Sequence, residues 1–319
     1  MPVTLHIFNP ESDMALASGS PYYMPPARIA AMRAREALFP ATCARPGEAV
    51  LLIDRADPKT SRYYDQACRK GLEILMPGSM VDWSRYIASP WGWNLQIARF
   101  LELNCPGVQG VPSAEALDRL RRLSHRRTAA RALSLLDPAL RAGVEIPVEI
   151  SDADEAVRYY IAHKNLFVKA PWSSSGRGVL RTDDLELRHV QPWIRGIVRS
   201  QGSVMLEPVY DRILDFATEW EIRQGVAYFL GFSVFETSRR GKYHGNVIGS
   251  QTMLMKLITD CAPTFGMQYV DAQKRMLEAL IGPDYDGPAG IDMMVFGKGR
   301  IHPCVEINLR KTMGLICIV

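Results

Sequence analysis

The sequence predicts a parallel α/β layer at the N-terminal end, followed by α/β and α+β regions whose last sheet is mostly antiparallel. Short hydrophobic strand segments alternate with helical segments over the first third, which is typical of a parallel sheet with helices on its faces. After residue 183, long hydrophobic runs follow one another across short polar breaks, as antiparallel pairs do. The chain has 319 residues, more than one average domain, so two or three domains are expected.

The first domain is expected over residues 1–111. Its strand and helix segments alternate along the chain, and one helix opens with prolines, which suit the first helical turn. The predicted strands are 3–8, 49–54 and 72–76, and the predicted helices are 26–39, 61–70 and 92–103. The turn-forming run from Cys105 to Pro112 ends this domain.

A second domain is expected over 112–182 and a third over 183–319. Ser113 has the pattern of an N-cap for one helix that runs to about Leu136, where Asp137-Pro138 stops it. The remaining segments read as strands, helices and one loop by their periodicity. They are strands at 145–150, 166–170, 203–209, 217–224 and 226–237, helices at 151–162 and within 263–282, a loop at 172–178 and a C-terminal hairpin.

Composition narrows the functional classes. The chain is 47% hydrophobic and 23% charged, which is ordinary for a soluble globular protein. A net charge of +4 does not by itself argue for nucleic-acid binding. The six cysteines form no C-x-x-C pair, so free thiols in a reducing compartment are expected. With no signal-peptide pattern and no membrane span, we expect a cytoplasmic protein with neither nucleic acid nor membrane as partner. The oligomeric state stays open.

The C-terminal segments 291–296 and 301–309 are hydrophobic and flank Gly297-Lys298-Gly299-Arg300, which predicts a β-hairpin. Glu306 and Asn308 are two residues apart, so both side chains leave the same face of a strand.

Asp292 joins that face if it pairs with Glu306, a register that centres the hairpin on Gly299. Two carboxylates and an amide oxygen suit Mg²⁺ (or Mn²⁺), which takes few protein ligands. Arg310 continues the face and would hold a transferring phosphoryl group. The alternative is an ordinary surface hairpin with a polar outer face.

A second motif begins at Lys169, which lies near the end of a hydrophobic strand. The loop that follows, PWSSSGRGV, offers many backbone N–H donors that could fold over phosphates. Neither a Walker A motif nor G-x-G-x-x-G occurs, and a plain Gly/Ser connector is the alternative. The candidate phosphate contacts in the loop are Ser173, Ser174, Ser175, Gly176 and Gly178.

Together these motifs resemble the ATP-grasp superfamily, and most of all its carboxylate–amine ligases. The shared order is a strand ending in Lys, a Gly/Ser loop, a hydrophobic strand bearing Glu, and then Asp…Glu-x-Asn-x-Arg. The resemblance covers roughly residues 112–319, about two thirds of the chain. It implies an ATP-grasp fold preceded by a parallel α/β domain, with ATP and Mg²⁺ (or Mn²⁺) as cofactors.

The resemblance also implies roles for individual residues. Lys169 would contact the α- or β-phosphate, and the loop from Ser173 to Gly178 would cover the phosphates. The strand from Met205 to Val209 would meet adenine through its backbone, and Glu207 would contact the adenine amino group or a ribose hydroxyl. Asp215 is a second candidate for the ribose, with an N-cap or turn carboxylate as the alternative. The implied metal ligands are Asp292, Glu306 and Asn308, and the implied acyl-phosphate contact is Arg310.

The sequence departs from the family pattern in one charged residue. The family usually carries an earlier lysine that reaches the phosphates, but no Lys occurs between Lys70 and Lys164. Arg126 or Arg127 would substitute for it, and arginine is bulkier and bidentate. A solvated basic helix face is the alternative for these arginines. The chain ends in the apolar run LICIV, read either as a buried edge strand or as a shortened C-terminus.

Two segments have no assigned role. Residues 8–23 follow the first strand, where loops of a parallel layer face the ligand crevice, so Asn9, Glu11 and Asp13 are candidates for recognising the amine. A long surface loop is the alternative. Residues 238–246 form a basic, Gly-flanked segment that would either cover an anionic substrate or be a hairpin loop.

Three functions compete at this level. The first is an ATP-dependent ligase that joins a carboxylate to an amine through an acyl phosphate, with ATP and these small molecules as its partners. The second is an ATP-grasp kinase that releases a phosphorylated small molecule. The third is a nucleotide-binding regulatory protein without turnover, which the complete Asp–Glu–Asn set argues against. Nothing in the sequence identifies the acid or the amine.

Overall fold

The computed structural model describes residues 2–173, 178–238 and 243–318. The candidate phosphate-loop residues Ser174, Ser175 and Gly176 lie outside these ranges. The chain divides into two compact units between Arg121 and Arg122. The predicted boundary after residue 111 and the subdomains 112–182 and 183–319 stay predictions.

The first unit contains the predicted parallel sheet. Its four strands are ordered β3-β2-β1-β4, and every pairing in it is parallel. The elements are β1 (Val3–Ile7), α1 (Ser12–Ser18), α2 (Ala27–Arg35), β2 (Ala49–Leu51), α3 (Tyr64–Arg69), β3 (Glu73–Leu75), β4 (Tyr86–Pro90) and α4 (Leu95–Asn104). Leu5 and Ile7 pack with Ile97 and Leu101 of α4, and Val50 packs with Ala67 of α3. Both faces of the sheet are therefore covered, as parallel sheets require.

Three local expectations for this unit are wrong. The segment 8–23, expected as a loop, contains helix α1. Helix α2 ends at Arg35 and not at residue 39, because Phe39–Thr42 forms a separate 3₁₀ turn. The strand β4 was not predicted, since its short sequence YIASP carries a proline and no clear alternation.

A buried cluster of charges lies where β1 and β2 end. Arg33 is buried and bonds Asp54 through Nε and Nη2 at 2.8 and 2.7 Å, and it also pairs with the fully buried Glu11. Asn9 is equally buried. Its Nδ2 donates to the Gly92 carbonyl, and its Oδ1 accepts from the N–H groups of Trp91 and Gly92. The side chain of Asn9 is therefore fully used within the protein, whereas the buried Oε2 of Glu11 has no hydrogen-bond partner among the described residues. A role for this segment in recognising an amine stays a prediction.

The second unit contains two sheets. The smaller has the order β5-β8-β6-β7 with antiparallel pairings, and α7 and α8 pack against it through Tyr160, Val190 and Ile194. A helix α5 (Ala114–Leu123) leads into this unit. The elements that follow are α6 (Arg127–Leu135), β5 (Val148–Ile150), α7 (Ala153–His163), β6 (Leu166–Lys169), β7 (Val179–Arg181), α8 (Leu187–Gln201) and β8 (Val204–Pro208).

The larger sheet is antiparallel throughout, with the order β11-β10-β9-β12-β13. Its long strands match the hydrophobic runs of the sequence. The elements are β9 (Arg212–Arg223), β10 (Val226–Thr237), β11 (Tyr243–Asn246), α9 (Gln251–Cys261), α10 (Met267–Leu280), β12 (Gly287–Phe296), β13 (Arg300–Asn308) and α11 (Met313–Ile318).

Two expectations for the second unit are also wrong. The single helix expected from Ser113 to Leu136 is interrupted between Leu123 and Arg127, where the backbone N–H of Arg126 donates to the carbonyl of Pro171 at 3.1 Å. The apolar tail, for which a buried edge strand was one reading, forms helix α11. Among the described residues, no helix has both the length and the apolar character that a membrane crossing requires.

The charge cluster of the first unit makes a prediction about stability. Replacing Arg33 with Met leaves two carboxylates near one another in a buried place, so it should cost about 3–5 kcal/mol. Arg35→Met is the matched control, because this exposed arginine of the same helix only pairs with its neighbour Glu36 and such surface pairs contribute about 1 kcal/mol or less. Urea unfolding of the full chain would measure both. Equal losses in the two variants would contradict the assigned role of Arg33.

Candidate active site

The predicted register of the C-terminal hairpin is confirmed. Asp292 of β12 lies opposite Glu306 of β13, and Gly290 lies opposite Asn308. Strand alternation explains the face, because Ile291, Met293 and Val295 are buried in the core while Asp292 is only partly buried on the other side.

The predicted centre of the turn is wrong by one residue. Phe296 pairs with Arg300, so the turn is centred on Lys298 and not on Gly299. The cause is a bulge: a single residue, Met293, separates the paired positions on β12, while three residues, 303–305, separate them on β13. Residue 303, the first of the three, is a proline. A proline suits a bulge because it has no N–H to donate to the neighbouring strand.

A cavity of about 630 Å³ lies between the two sheets of the second unit. It brings together seven of the candidate residues from separate stretches of the chain. Those that line it are Arg126, Lys169, Glu207, Val209, Asp215, Asp292 and Glu306.

Lys169 and Glu207 form an ion pair within this cavity. Both side chains are buried, and they come from neighbouring antiparallel strands, where Phe167 lies opposite Glu207 and Lys169 opposite Met205. The Lys169 ammonium also lies 5.6 Å from the centre of the Phe167 ring. A buried lysine at the root of the loop is thus paired with a buried carboxylate.

Arg126 connects the loop root to the hairpin. Its Nη1 lies 2.9 Å from Glu306 Oε2, its Nε donates to the Ala170 carbonyl at 3.0 Å, and its Nη2 donates to Ser173 Oγ at 2.9 Å. Arg127 points elsewhere: its Nη2 lies 2.7 Å from Glu149 Oε1, and its own side chain is 43% exposed. Of the two candidate arginines, the structure brings only Arg126 into the cavity.

Gly178 closes the described end of the loop. It has φ +69°, a left-handed conformation that favours glycine, and its carbonyl accepts from the Ala170 N–H at 2.7 Å. A Cβ at this position would approach Ser173 Cβ to 2.8 Å. The two ends of the loop therefore meet closely, and residue 178 has no room for a side chain.

Two candidate nucleotide contacts have other partners in this structure. The Val209 N–H donates to the Asn165 carbonyl at 3.1 Å, so this residue offers the cavity its side chain and carbonyl only. Asp215 accepts from the Thr237 hydroxyl, and its Oδ2 lies 3.0 Å from Arg212 Nη1. Desolvation raises the pKa of Asp215 above its ordinary value, opposed by these two partners.

The oxygen cluster has the chemistry of a magnesium site. Desolvation raises the pKa of Asp292 to about 8, and the nearby charges of Glu306 and Glu219 act in the same direction. Such a cluster of negative charge is stabilised by a cation. Asn308 Oδ1 accepts from Arg310 Nη2 at 2.9 Å, so the amide oxygen already faces a positive group. Carboxylate and amide oxygens are the ligand types that a hard divalent cation takes, although here Glu306 and Asn308 each also contact an arginine.

A smaller cavity of about 190 Å³ adjoins the same hairpin. Asp292 and Glu306 line both cavities, while Asn308, Arg310 and Ser173 line only the smaller one. The carboxylate pair therefore separates two spaces, one beside Lys169 and one beside Arg310.

Several cavity residues were missed by the sequence reading. Glu219 lines the smaller cavity, and Arg181, Tyr210, Arg212 and His302 line the larger one. Burial is the main reason that the pKa of His302 falls to about 3, which keeps the ring neutral. Glu219 had one available signal, an acidic residue within the otherwise hydrophobic and aromatic strand sequence that surrounds Trp220.

Neither a protein-family model nor a curated protein sequence matches the chain. Solved structures do match it. The biotin carboxylase domain of Hydrogenobacter thermophilus 2-oxoglutarate carboxylase, solved with MgADP, ADP and bicarbonate, is 12% identical with a TM-score of 0.54. That match covers 97% of this chain but only 64% of the carboxylase domain, so the present chain spans less than two thirds of its length.

Two further structures show the same likeness. N5-carboxyaminoimidazole synthetase from Staphylococcus aureus, complexed with ADP, is 11% identical with a TM-score of 0.51, covering 98% of this chain and 72% of its own. Phosphoribosylamine–glycine ligase from Thermotoga maritima is 14% identical with a TM-score of 0.53, covering 99% and 71%. At these identities the likeness shows the fold: the chain has the ATP-grasp fold, as the sequence resemblance predicts.

The separation of the two arginines yields a prediction. Arg126→Met should weaken the binding of a non-hydrolysable ATP analogue by about tenfold or more, the loss expected for a charge-assisted contact in a recessed site. Arg127→Met should leave the affinity unchanged, because its guanidinium pairs with Glu149 outside the cavity. Isothermal titration would compare them. Equal effects of the two substitutions would remove Arg126 from the nucleotide site.

Proposed function

We propose that this protein is an ATP-dependent ligase that joins a carboxylate to an amine through an acyl phosphate and releases ADP and phosphate. One observation carries the proposal: the cationic groups Lys169 and Arg126 and the carboxylates Asp292 and Glu306 line one cavity in an ATP-grasp fold. Phosphate-binding and metal-binding chemistry are therefore adjacent.

The nucleotide would lie in the larger cavity. Lys169 would exchange its partner Glu207 for a phosphate, and Arg126 would exchange Glu306 for another. Charge-assisted contacts of this kind are among the strong polar interactions in proteins. The strand β8 would lie along the adenine, and Asp215 would receive a ribose hydroxyl. Ser173 would reach the phosphates from the loop root.

Asp292, Glu306 and Asn308 would hold Mg²⁺ (or Mn²⁺). The ion supplies positive charge that neutralises phosphate oxygens and the charge that develops during transfer. The chain's own contribution is to keep two carboxylates opposed on neighbouring strands and to free Glu306 when Arg126 turns to the nucleotide.

The reaction follows from this placement. A carboxylate oxygen of the acid attacks the γ-phosphorus, and the bond from that phosphorus to the β-bridging oxygen breaks as ADP leaves. Arg310, at the border of the smaller cavity, would hold the transferred phosphoryl group. The amine then attacks the acyl carbon, and phosphate departs with the electron pair of the broken C–O bond and with a proton from the amine.

Hydroxylamine tests the proposal without knowledge of the amine. With ATP, Mg²⁺ and a panel of small acids, the correct acid should give a hydroxamate together with equal amounts of ADP and phosphate. A stable phosphorylated product in place of the hydroxamate would establish the kinase. AMP and pyrophosphate would overturn the acyl-phosphate route, and nucleotide binding without any turnover would indicate a regulatory protein.

The hairpin assignment predicts the behaviour of a matched pair of variants. Glu306→Ala should abolish ADP formation at saturating Mg²⁺ while leaving the fold largely intact, as circular dichroism would show. Glu221→Ala is the control, since Glu221 lies on β9 of the same sheet, lines neither cavity and pairs with Arg223. Wild-type rates of ADP release in Glu306→Ala would exclude the hairpin from catalysis.

Arg310→Lys separates charge from geometry. Lysine keeps the positive charge but loses the planar fork that can hold two phosphate oxygens. The substitution should therefore lower kcat more than it weakens binding of the ATP analogue. Steady-state kinetics and isothermal titration on one preparation would show this, and a pure loss of ATP affinity would place Arg310 on the nucleotide side.

A further inference from the structure

The smaller cavity contains a buried carboxylate that the proposed reaction does not use. Glu219 lies in the middle of β9 with only 1% of its surface exposed, and it lines this cavity. Its Oε1 accepts from Ser233 Oγ at 2.9 Å and its Oε2 accepts from Thr312 Oγ1 at 2.7 Å. Each oxygen thus has one hydroxyl donor, while a carboxylate has about four acceptor positions.

Within the described part of the chain, Glu219 has no ion-pair partner. Arg310 is close enough for its charge to act on Glu219, yet the contacts of the carboxylate itself are the two hydroxyls. A buried carboxylate without a paired cation is costly. This cost would be offset by a ligand that brings a positive group into the cavity.

The backbone around Glu219 leaves space for its carboxylate. A Cβ on Gly314 would lie 2.0 Å from Glu219 Oε1, and a Cβ on Gly290 would lie 3.0 Å from Oε2. Thr312 is fixed as well, because its hydroxyl accepts from the Leu315 N–H at 2.9 Å while donating to the carboxylate. Glu219 is therefore held in one orientation by elements from three parts of the chain.

A second unsatisfied group lines the same cavity. Among the described residues, the buried Nδ2 of Asn246 has no hydrogen-bond acceptor, although its Oδ1 accepts from the Tyr243 hydroxyl. Both residues line the cavity. Buried donors are normally satisfied, so a ligand with an acceptor oxygen would complete this site too.

The cavity thus combines an anionic anchor, Glu219, with a cationic one, Arg310. Its volume of about 190 Å³ lies below the range of about 300–1,000 Å³ that is usual for drug-sized ligands. A small molecule that carries both charges fits this combination better than a simple acid or a simple amine.

We propose that the smaller cavity binds the acid substrate as a small α-amino acid, with its ammonium group on Glu219 and its carboxylate towards Arg310. This inference rests on the proposed ligase function and names the class of its acid substrate. An ammonium held by Glu219 keeps its proton and has no lone pair, so it does not attack the acyl phosphate formed from its own carboxylate. The attacking amine comes from a second molecule.

Binding measurements test the inference independently of turnover. Glycine and both enantiomers of alanine and serine should each be titrated into the full chain with Mg²⁺ and a non-hydrolysable ATP analogue. Acetate, propionate and ethylamine serve as probes that lack one of the two charges. At least one amino acid should bind about tenfold or more tightly than its single-charge counterparts. Equal affinities for alanine and propionate, or for alanine and ethylamine, would overturn the inference, as would the failure of every amino acid to bind.

The variant Glu219→Gln keeps the shape of the side chain and removes its charge. It should weaken amino-acid binding by about tenfold or more, while propionate and the ATP analogue bind as in the wild type. Glu221→Gln is the matched control, two residues along the same strand and outside the cavity, and it should bind amino acids normally. Unchanged amino-acid binding in Glu219→Gln would refute the assigned anchor, and the wild-type selectivity remains a separate criterion if this variant is unstable.

The same titrations distinguish the inference from the function on which it rests. Selective binding of an amino acid without ADP release or hydroxamate would support the cavity assignment and refute the ligase. Hydroxamate formation from propionate at the rate seen with alanine would support the ligase and refute the amino-acid inference.

Discussion

The site depends on the register of β12. This strand is paired on both sides, with Asp292 opposite Ala217 of β9 and Glu306 of β13. Because side chains alternate along a strand, a shift of one residue would move Asp292 into the core and bring Ile291 into the cavity. The buried side chains of Ile291 and Val295 oppose that shift. Hydrophobic burial on one face of the sheet thus fixes the positions of the candidate oxygen ligands on the other.

Sequence reasoning identified features whose causes are local. The shared strand face of Glu306 and Asn308 followed from the two-residue period of a strand, and the parallel layer followed from alternating segments. The sequence could not choose between Arg126 and Arg127. The helix is interrupted just before Arg127, where the Arg126 N–H donates to the carbonyl of Pro171, 45 residues away, and such a distant contact leaves no local signal. Glu219 was missed for a similar reason, since one of its partners, Thr312, lies 93 residues further along the chain. The helix α8 was overlooked because Pro192 lies inside it.

The ion pairs of the larger cavity organise it in the absence of a ligand. Lys169 is held by Glu207, Arg126 by Glu306, and Arg212 by Asp215. In each pair, a residue that would contact the nucleotide or the metal is bonded to a side chain of opposite charge. The long flexible side chains are therefore already ordered. This reduces the side-chain entropy that binding would otherwise cost, and it keeps the buried charges compensated.

The charged side chains of the lining also determine the electrostatic attraction that an approaching anion meets at the larger cavity. Among the described residues, the lining of the larger cavity holds four cationic side chains and five carboxylates. Such a lining has almost no net attraction beyond the Debye length, which is about 10 Å at 0.1 M ionic strength. If ATP is the ligand, as proposed, its free form would enter this nearly neutral lining as a tetra-anion near neutral pH, whereas its complex with a divalent cation carries half that charge. For the proposed nucleotide ligand, this charge balance would favour the metal complex over the free polyanion, and it would make the rate of association only weakly dependent on salt.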